Sequence, residues 1–326
     1  MEANPVTSCP AADRPKVSII VVSFNTRELT AACLRSVREH VTGVAYELLV
    51  VDNASSDGSV EAIRETAPQA RLYPLQKNIG FAGANNLAAC DARGEFLLLL
   101  NPDTLLRDDA ITPMVAFAEA HPQAGIWGGR TLFGDGSLNP SSCWRKMTIW
   151  GLICGALGLR SLRRNSGVFN PEGYGGWKRD GARQIDIVTG CFLLITKALW
   201  DELGGFDPAF FMYGEDADLC LRAAKRGYRP MITPDATIVH YGGRSERSKP
   251  DKIIRLLRAR QMLIRRHWNA AAAPIGLALL KASILSRRLM HAIAPGPADS
   301  DEQRLGKWTS VWRRRGEWTD KSASTP

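Results

Sequence analysis

Through the first three quarters of the chain, short apolar runs alternate with segments whose apolar residues recur every three or four positions, which predicts repeated strand and helix units. Residues 17–22 are β-branched and apolar and read as a strand that stops at Ser23-Phe24-Asn25. Leu29, Cys33, Val37 and Val41 follow at four-residue spacing, so 27–40 predicts an amphipathic helix. Residues 47–51 give a second strand ending in Asp52-Asn53, and Ser55, Ser56, Asp57 and Gly58 supply the turn and cap for a helix over 58–66. A short strand over 71–74 leads through Lys77, Asn78, Gly80 and Asn85 into a helix reaching about residue 92. Residues 96–100, Phe-Leu-Leu-Leu-Leu, are too few to span a bilayer and are closed by Pro102, so they predict a strand buried on both faces. A helix over 108–120 and strands over 125–130 and 185–195 come next. A helix over 197–203, a turn at 204–207, a helix to 226 and a strand over 231–239 complete the series.

That order predicts one α/β domain over residues 16–243, built on a doubly wound, mostly parallel sheet. Residues 1–15, rich in Ala, Pro and polar side chains, read as a disordered N-terminus. Residues 134–183 have poor periodicity apart from an apolar piece near 148–159, and 160–183 reads as a long mobile loop. In such a sheet the carboxyl ends of the strands face the ligand crevice. Asn101 and Asp103 stand there, although a turn or helix cap accounts for an Asp at that place equally well. Small residues from Asn78 to Asn86 ahead of a helix suit close approach to a phosphate, and they suit a ligand-free tight turn as well. Glu215, Asp216 and Asp218 place three carboxylates within four residues of a helix start, where ordinary capping accounts for acidic residues, but so close a grouping after aromatic residues is costly without a cation or a proton-accepting role. His240 ends the last strand, where structural histidines are common.

Composition changes this picture little, and charge changes it at one end. The chain of 326 residues carries a formal charge of +9, but residues 244–326 hold 18 Lys and Arg against 7 Asp and Glu, so the basic character belongs to the tail. Seven cysteines at positions 9, 33, 90, 143, 154, 191 and 220 form no CxxC pair, which predicts free thiols in a reducing, cytoplasmic setting. No signal-like N-terminal segment and no apolar stretch of spanning length is present in the sequence.

The segments VSIIVVSFN, ELLVVDNASSDGS, NIGFAGANN, FLLLLNPD, VTGCFLLI, GGFDPAFFMYGEDADLCLRAAKRGYR and VHYGG, in that order, resemble inverting glycosyltransferases of family 2, including rhamnosyltransferases that act on cell-surface glycans. The resemblance implies a GT-A fold holding a nucleotide-sugar donor over the sheet. It implies that Ser23 and Asn25 line the nucleoside pocket, that Asp52 takes the base or ribose hydroxyls, and that Asn78, Gly80 and Asn85 border the nucleotide. Asp103 matches the last position of a DxD-type motif written here as Asn101-Pro102-Asp103, and His240 a position that helps hold Mg²⁺ or Mn²⁺ in some relatives. Asp216 matches the catalytic base, with Glu215 orienting it or meeting the acceptor. The implied partners are a dTDP- or UDP-sugar, with dTDP-rhamnose favoured, and a glycan or lipid-linked acceptor. The Gln-x-x-Arg-Trp signature of processive synthases is absent, so transfer of a single sugar or a few is expected. A non-catalytic nucleotide-sugar binding protein and a sugar nucleotidyltransferase are the rival readings. The latter needs a Gly-rich, Arg-containing loop where Phe24-Asn25-Thr26-Arg27 stands.

In the tail, Ile253, Leu256, Leu257, Met262 and Ile264 interleave with arginines, a second helix is predicted over 275–293, and Trp308, Trp312 and Trp318 surround Arg313-Arg314-Arg315. Basic amphipathic helices with tryptophans suit an anionic membrane surface, while packing on the catalytic domain or on a second subunit is the alternative. Nucleic acid is not expected, since no recognition module accompanies the charge.

Overall fold

The computed structural model describes residues 14–242, 249–293 and 301–319. In chain order the elements begin β1 (Val17–Ser23), α1 (Arg27–His40), β2 (Tyr46–Asp52), α2 (Ser59–Thr66), β3 (Arg71–Pro74), α3 (Gly80–Cys90) and β4 (Phe96–Leu100). They continue as β5 (Thr104–Leu105), α4 (Ile111–Ala120), β6 (Ile126–Leu132), β7 (Leu138–Asn139), β8 (Cys143–Trp144), α5 (Ile149–Ala156), α6 (Leu159–Leu162), β9 (Arg183–Gln184), β10 (Ile187–Val188), β11 (Phe192–Thr196) and α7 (Lys197–Leu203). Last come α8 (Glu215–Lys225), β12 (Met231–His240), α9 (Lys249–His267), α10 (Ala272–Ile293), α11 (Asp301–Arg313) and α12 (Gly316–Thr319).

The main sheet runs β3-β2-β1-β4-β11-β6-β12-β5, with β7 on β6 and β9 on β12. Strands β3, β2, β1 and β4 are parallel, whereas β11 is antiparallel to both β4 and β6. Alternation sorts the strand side chains between two layers. Val17, Ile19, Val21, Leu98 and Leu100 pack on α1 and α4, and Ile20, Val22, Leu97 and Leu99 pack on α3, α7 and α8. Burial on both faces is why β4 reads as an unbroken apolar run and β1 as one interrupted only by Ser18 before it ends at Ser23.

The apolar stretch 185–195 is two strands rather than the single one its composition suggests. Residues before Thr189 pair with β8 in a separate two-stranded sheet, and β11 enters the main sheet after Gly190. Thr189 Oγ1 donates to the Ser141 carbonyl at 2.7 Å, and Gly190 N–H donates to Asp216 Oδ2 at 3.0 Å, so the chain leaves one ladder before joining the next.

The tail helices lie against the α/β domain. Ala259 and Leu263 of α9 join the core that holds α3 and α8. Ile254, Leu257, Ile264, Leu280, Ile284, Trp308 and Val311 form a third cluster with Leu152 of α5. Trp308 and Trp318 are buried there, Trp318 donating its indole N–H to the Val311 carbonyl at 3.0 Å, so these two tryptophans serve the interior rather than a membrane interface. Residues 160–183 hold α6, β9 and turns. They are fixed at Glu172, which is buried and accepts from Arg260 at 2.9 Å through both oxygens and from Arg160 at 3.1 Å. Among the described residues no helix is long and apolar enough to cross a membrane.

Candidate active site at the carboxyl edge of the sheet

The parallel strands deliver their last residues to one edge: Ser23 lies beside Asp52, Asp52 beside Pro74, and Val21 beside Leu100. The Asp52 carboxylate is buried, accepting from Ser55 N at 2.9 Å through Oδ2, while Oδ1 has no hydrogen-bond partner among the described residues. A buried carboxylate oxygen of that kind is suited to a ligand hydroxyl or ring N–H. Asn25, at φ 51°, accepts from Ser56 N at 2.8 Å and shapes the turn that faces Asp52. Ser23 is fully buried, and its hydroxyl is engaged with Thr30 at 2.9 Å and Thr26 at 3.3 Å.

The segment after β3 is locked by amides. Asn78 Oδ1 accepts from Gly80 N at 2.8 Å, capping the entry to α3. Asn53 accepts from Ile79 N at 2.9 Å and donates to the Gly80 carbonyl at 3.2 Å. Gly80 has φ +79°, and a Cβ there would lie 2.4 Å from the Phe211 carbonyl oxygen, which accepts from Phe81 N at 2.8 Å. Asn85 is buried, donates to the Phe81 carbonyl and keeps Oδ1 without a partner among the described residues. Asn86 pairs with both the N–H and the carbonyl of Phe206, at 2.9 and 2.8 Å. Asn53 and Asn86 were not singled out from the sequence. Their signal was position alone: an asparagine, which both donates and accepts, directly beside a candidate residue.

Those contacts dock the Asn78–Asn85 segment onto the loop that opens α8. Tyr213 at φ 72° and Gly214 at φ 89° turn the chain sharply into the helix, and a bulky residue in that region is costly enough to mark a site. Glu215 is buried, and its Oε2 has no hydrogen-bond partner among the described residues. Burial, and then the neighbouring Asp216 charge, push the Glu215 carboxyl well above its ordinary range. Asp216 is half-buried and is also raised by burial, but it accepts from Gly190 N at 3.0 Å and Ala217 N at 2.7 Å, which favour its charged form. The charged form is therefore disfavoured more strongly at Glu215, whereas two backbone N–H groups support it at Asp216.

Asp103 and His240 meet on the other side of Gly190. The β5–β12 pairing sets Thr104 opposite His240, and His240 Nε2 lies 3.3 Å from Asp103 Oδ1, both side chains largely buried. His240 Nδ1 lacks a partner among the described residues. Burial lowers the His240 pKa, but the Cys191 sulfur and the Asp103 carboxylate more than offset it and raise the imidazole above its usual value. Gly190 and Cys191 link the two halves of the edge. Gly190 N–H donates to Asp216, and the Cys191 carbonyl accepts from Asn101 N at 3.0 Å. Two hydrogen bonds through adjacent residues thus connect the acidic helix start with the Asn101-Pro102-Asp103 turn.

Asp103 and His240 supply one carboxylate and one imidazole, and among the described residues no group of three or more acidic, His or Cys side chains could hold a metal. Such a sparse donor set fits Mg²⁺ or Mn²⁺ only where ligand oxygens complete the shell, as diphosphate oxygens do.

Asp218, two residues beyond Asp216, belongs to the frame. It accepts from His267 of α9 at 2.8 Å and from Arg222 at 2.7 Å, and Arg222 also donates to the Leu203 and Gly205 carbonyls. Burial raises its carboxyl, yet the His267 and Arg222 bonds win and lower it.

This edge arrangement is that of the GT-A glycosyltransferase fold. The mannosyltransferase PcManGT of Pyrobaculum calidifontis, solved with GDP-Man and Mn²⁺, superposes with a TM-score of 0.58 over 98% of this chain and 91% of that one, at 19% identity. S. aureus TarS residues 1–349, solved with UDP-GlcNAc, gives 0.53 over 94% and 82%, at 17% identity. The sequence profile named Glycosyl transferase family 2 matches residues 18–201, more than half of the chain, and the chain belongs to that family. The match stops short of Glu215 and Asp216. An N-acetylglucosaminyl-diphospho-decaprenol L-rhamnosyltransferase of Mycobacterium tuberculosis is 28% identical over 215 residues, 62% of this chain and 69% of that protein. Rhamnosyltransferase WbbL of Escherichia coli is 27% identical over 254 residues, 73% and 88% of the two chains. The O-antigen biosynthesis protein RfbC of Myxococcus xanthus is 28% identical over 242 residues, but the chain spans only 18% of its length.

Proposed function

We propose that this glycosyltransferase moves a single sugar from a nucleotide-sugar donor to a hydroxyl of a glycan or lipid-linked acceptor, with inversion, and that dTDP-rhamnose is its donor. The observation that carries this is the linkage of Asp216 to Asn101 through Gly190 and Cys191, which joins a charged carboxylate to the turn bearing Asp103. The rhamnosyltransferase names of relatives from two organisms support the choice of sugar, and a UDP-sugar is the next candidate.

In this proposal Asp52, Asn25, Asn78, Gly80, Asn85 and Asn101 border the donor, and Ser23 lines the pocket floor, its hydroxyl held by Thr30 and its carbonyl by Asn53 N. Asp103 and His240 hold the divalent ion, which, when bound, offsets negative charge on the departing diphosphate. Asp216 takes the proton of the acceptor hydroxyl as that oxygen attacks the anomeric carbon from the face opposite the leaving group. Protonated Glu215 fixes the carboxylate beside it and can donate a hydrogen bond to the acceptor. The tail is proposed to bring the enzyme to an anionic membrane where lipid-linked acceptors reside, from the cytoplasmic side.

A nucleotide-sugar panel incubated with and without acceptor tests this. Acceptor-dependent release of dTDP from dTDP-rhamnose is expected. Release of pyrophosphate from a nucleoside triphosphate would assign the chain to the nucleotidyltransferases, and tight donor binding with no release would make it a binding protein.

A further inference from the structure

Outside the catalytic edge, helix α5 packs on α10, Gly158 at the start of α6 meets Met290, and apolar side chains of all three helices face solvent. Leu157, Leu162, Val168 and Leu289 are each more than half exposed, at 64, 77, 60 and 53%, and Trp150 and Met290 nearly so. They form one surface. The Trp150 indole donates to the Val168 carbonyl at 2.9 Å, and a Cβ on Gly158, at the start of α6, would lie 2.9 Å from Met290 Sδ at the end of α10. An apolar face of this extent is unusual on a soluble surface and marks an interaction site.

The charge around it has one sign. No Asp or Glu occurs from residue 145 to 171 or from 252 to 298, while Arg160, Arg163, Arg164, Arg287 and Arg288 fall within those stretches. Next to the face, Arg160 and Arg260 share the Glu172 carboxylate, and Arg287 stacks on the Trp308 ring at 5.0 Å with no carboxylate partner among the described residues. Burial, then the Arg160 and Arg260 charges, lower the Arg287 pKa, so the positive charges gather beside this face. An open depression beside Leu162 is lined by Ser161, Arg163, Arg164, Asn165 and Ser166, a mixture of hydroxyl, amide and guanidinium donors.

We propose that this α5–α6–α10 face docks on an anionic phospholipid bilayer, Leu157, Leu162, Val168 and Leu289 entering the acyl boundary while Arg163, Arg164 and Arg288 meet headgroup phosphates. Branched aliphatic tips in a field of arginines suit a lipid interface, because the tips need an apolar medium and the guanidiniums need anions within a few ångströms. Nucleic acid would satisfy only the second need. Trp308 and Trp318 are buried in the helical cluster and add no side chain to this face. It deepens the proposed membrane role of the tail by naming the surface, and rests on that reading. Its test uses vesicles without acceptor, so that docking and transfer fail separately.

Flotation of the full chain with phosphatidylglycerol–phosphatidylcholine vesicles, with phosphatidylcholine vesicles and at high salt provides that test. Binding is expected to the anionic vesicles only and to weaken with salt. The double variant L157D/L162D is expected to lower vesicle binding by at least about tenfold with donor-only binding unchanged, whereas Phe133→Asp, at an exposed apolar side chain on the β6–β7 hairpin, leaves it intact. The double variant R163Q/R164Q, at exposed arginines, is expected to reduce the salt-sensitive part of the binding. Equal vesicle binding by wild type and L157D/L162D would overturn the proposal. So would a self-association of the wild type that the double variant abolishes with no vesicle binding by either, which would assign the face to a second copy of the chain.

Discussion

Asp216→Asn is expected to lower kcat by about 10²–10⁴-fold, the usual contribution of a positioned general base. Gly190 N–H and Ala217 N–H donate to different oxygens of Asp216, so asparagine keeps an acceptor for one of them and loses the other bond together with proton acceptance, and an unchanged melting temperature is the control that the loop opening α8 stays in place. Glu215→Gln is expected to reduce kcat by less than about tenfold, because burial and the Asp216 charge disfavour the charged form of Glu215 and the neutral amide is close to it in shape. Steady-state rates of the two variants beside wild type check this. Equal losses would remove the distinction between the two carboxyls. The pH profile supplies a sign. Burial raises the pair, so the acidic limb of kcat lies above the ordinary aspartate value of about 3.9, and activity falls as pH drops through the raised value.

Glu172→Gln is expected to destabilise the fold by about 3 kcal/mol, the low end for removing one partner of a buried ion pair, since Arg160 and Arg260 keep 26 and 28% of their side chains exposed. Burial raises the Glu172 carboxyl, but Arg260 and then Arg160 overcome this and lower it. A lowered folded-state pKa means that the stabilisation is complete above the ordinary glutamate range near about 4.3 and is lost as pH falls through the folded value. Denaturant unfolding of both proteins at neutral pH and in acid checks this. The gap between them is expected to be wide at neutral pH and to close in acid, and a gap independent of pH would show that the ion pair contributes nothing.

How much could be read from the chain alone follows from the range of the interactions. The Phe96–Leu100 strand and its edge turn were legible because burial on both faces leaves an apolar run, and the sheet class followed from the alternation. The switch of sheets at Thr189-Gly190 was not, since an apolar run says nothing of which ladder its amides join, and Gly190 spends its N–H on Asp216, 26 positions away. Strands of two residues such as β5 have no period to detect, yet β5 is what seats Asp103 beside His240. In the tail, interleaved Leu and Arg predict amphipathic helices but not the surface that covers them. The same tryptophans suit a membrane or a core, and the third cluster takes Trp308 and Trp318 inward. The Glu172–Arg260 pair, 88 positions apart, left no local trace in a segment that reads as loop.

The division of labour across the cleft is tested most directly by calorimetric binding of dTDP with and without Mn²⁺ to wild type, Asp103→Asn and Asp216→Asn. The ion is expected to tighten nucleotide binding in wild type and Asp216→Asn and to have no effect in Asp103→Asn. Tightening that survives in Asp103→Asn, or that disappears equally in both variants, would contradict the assignment of the ion to Asp103 and of the proton to Asp216.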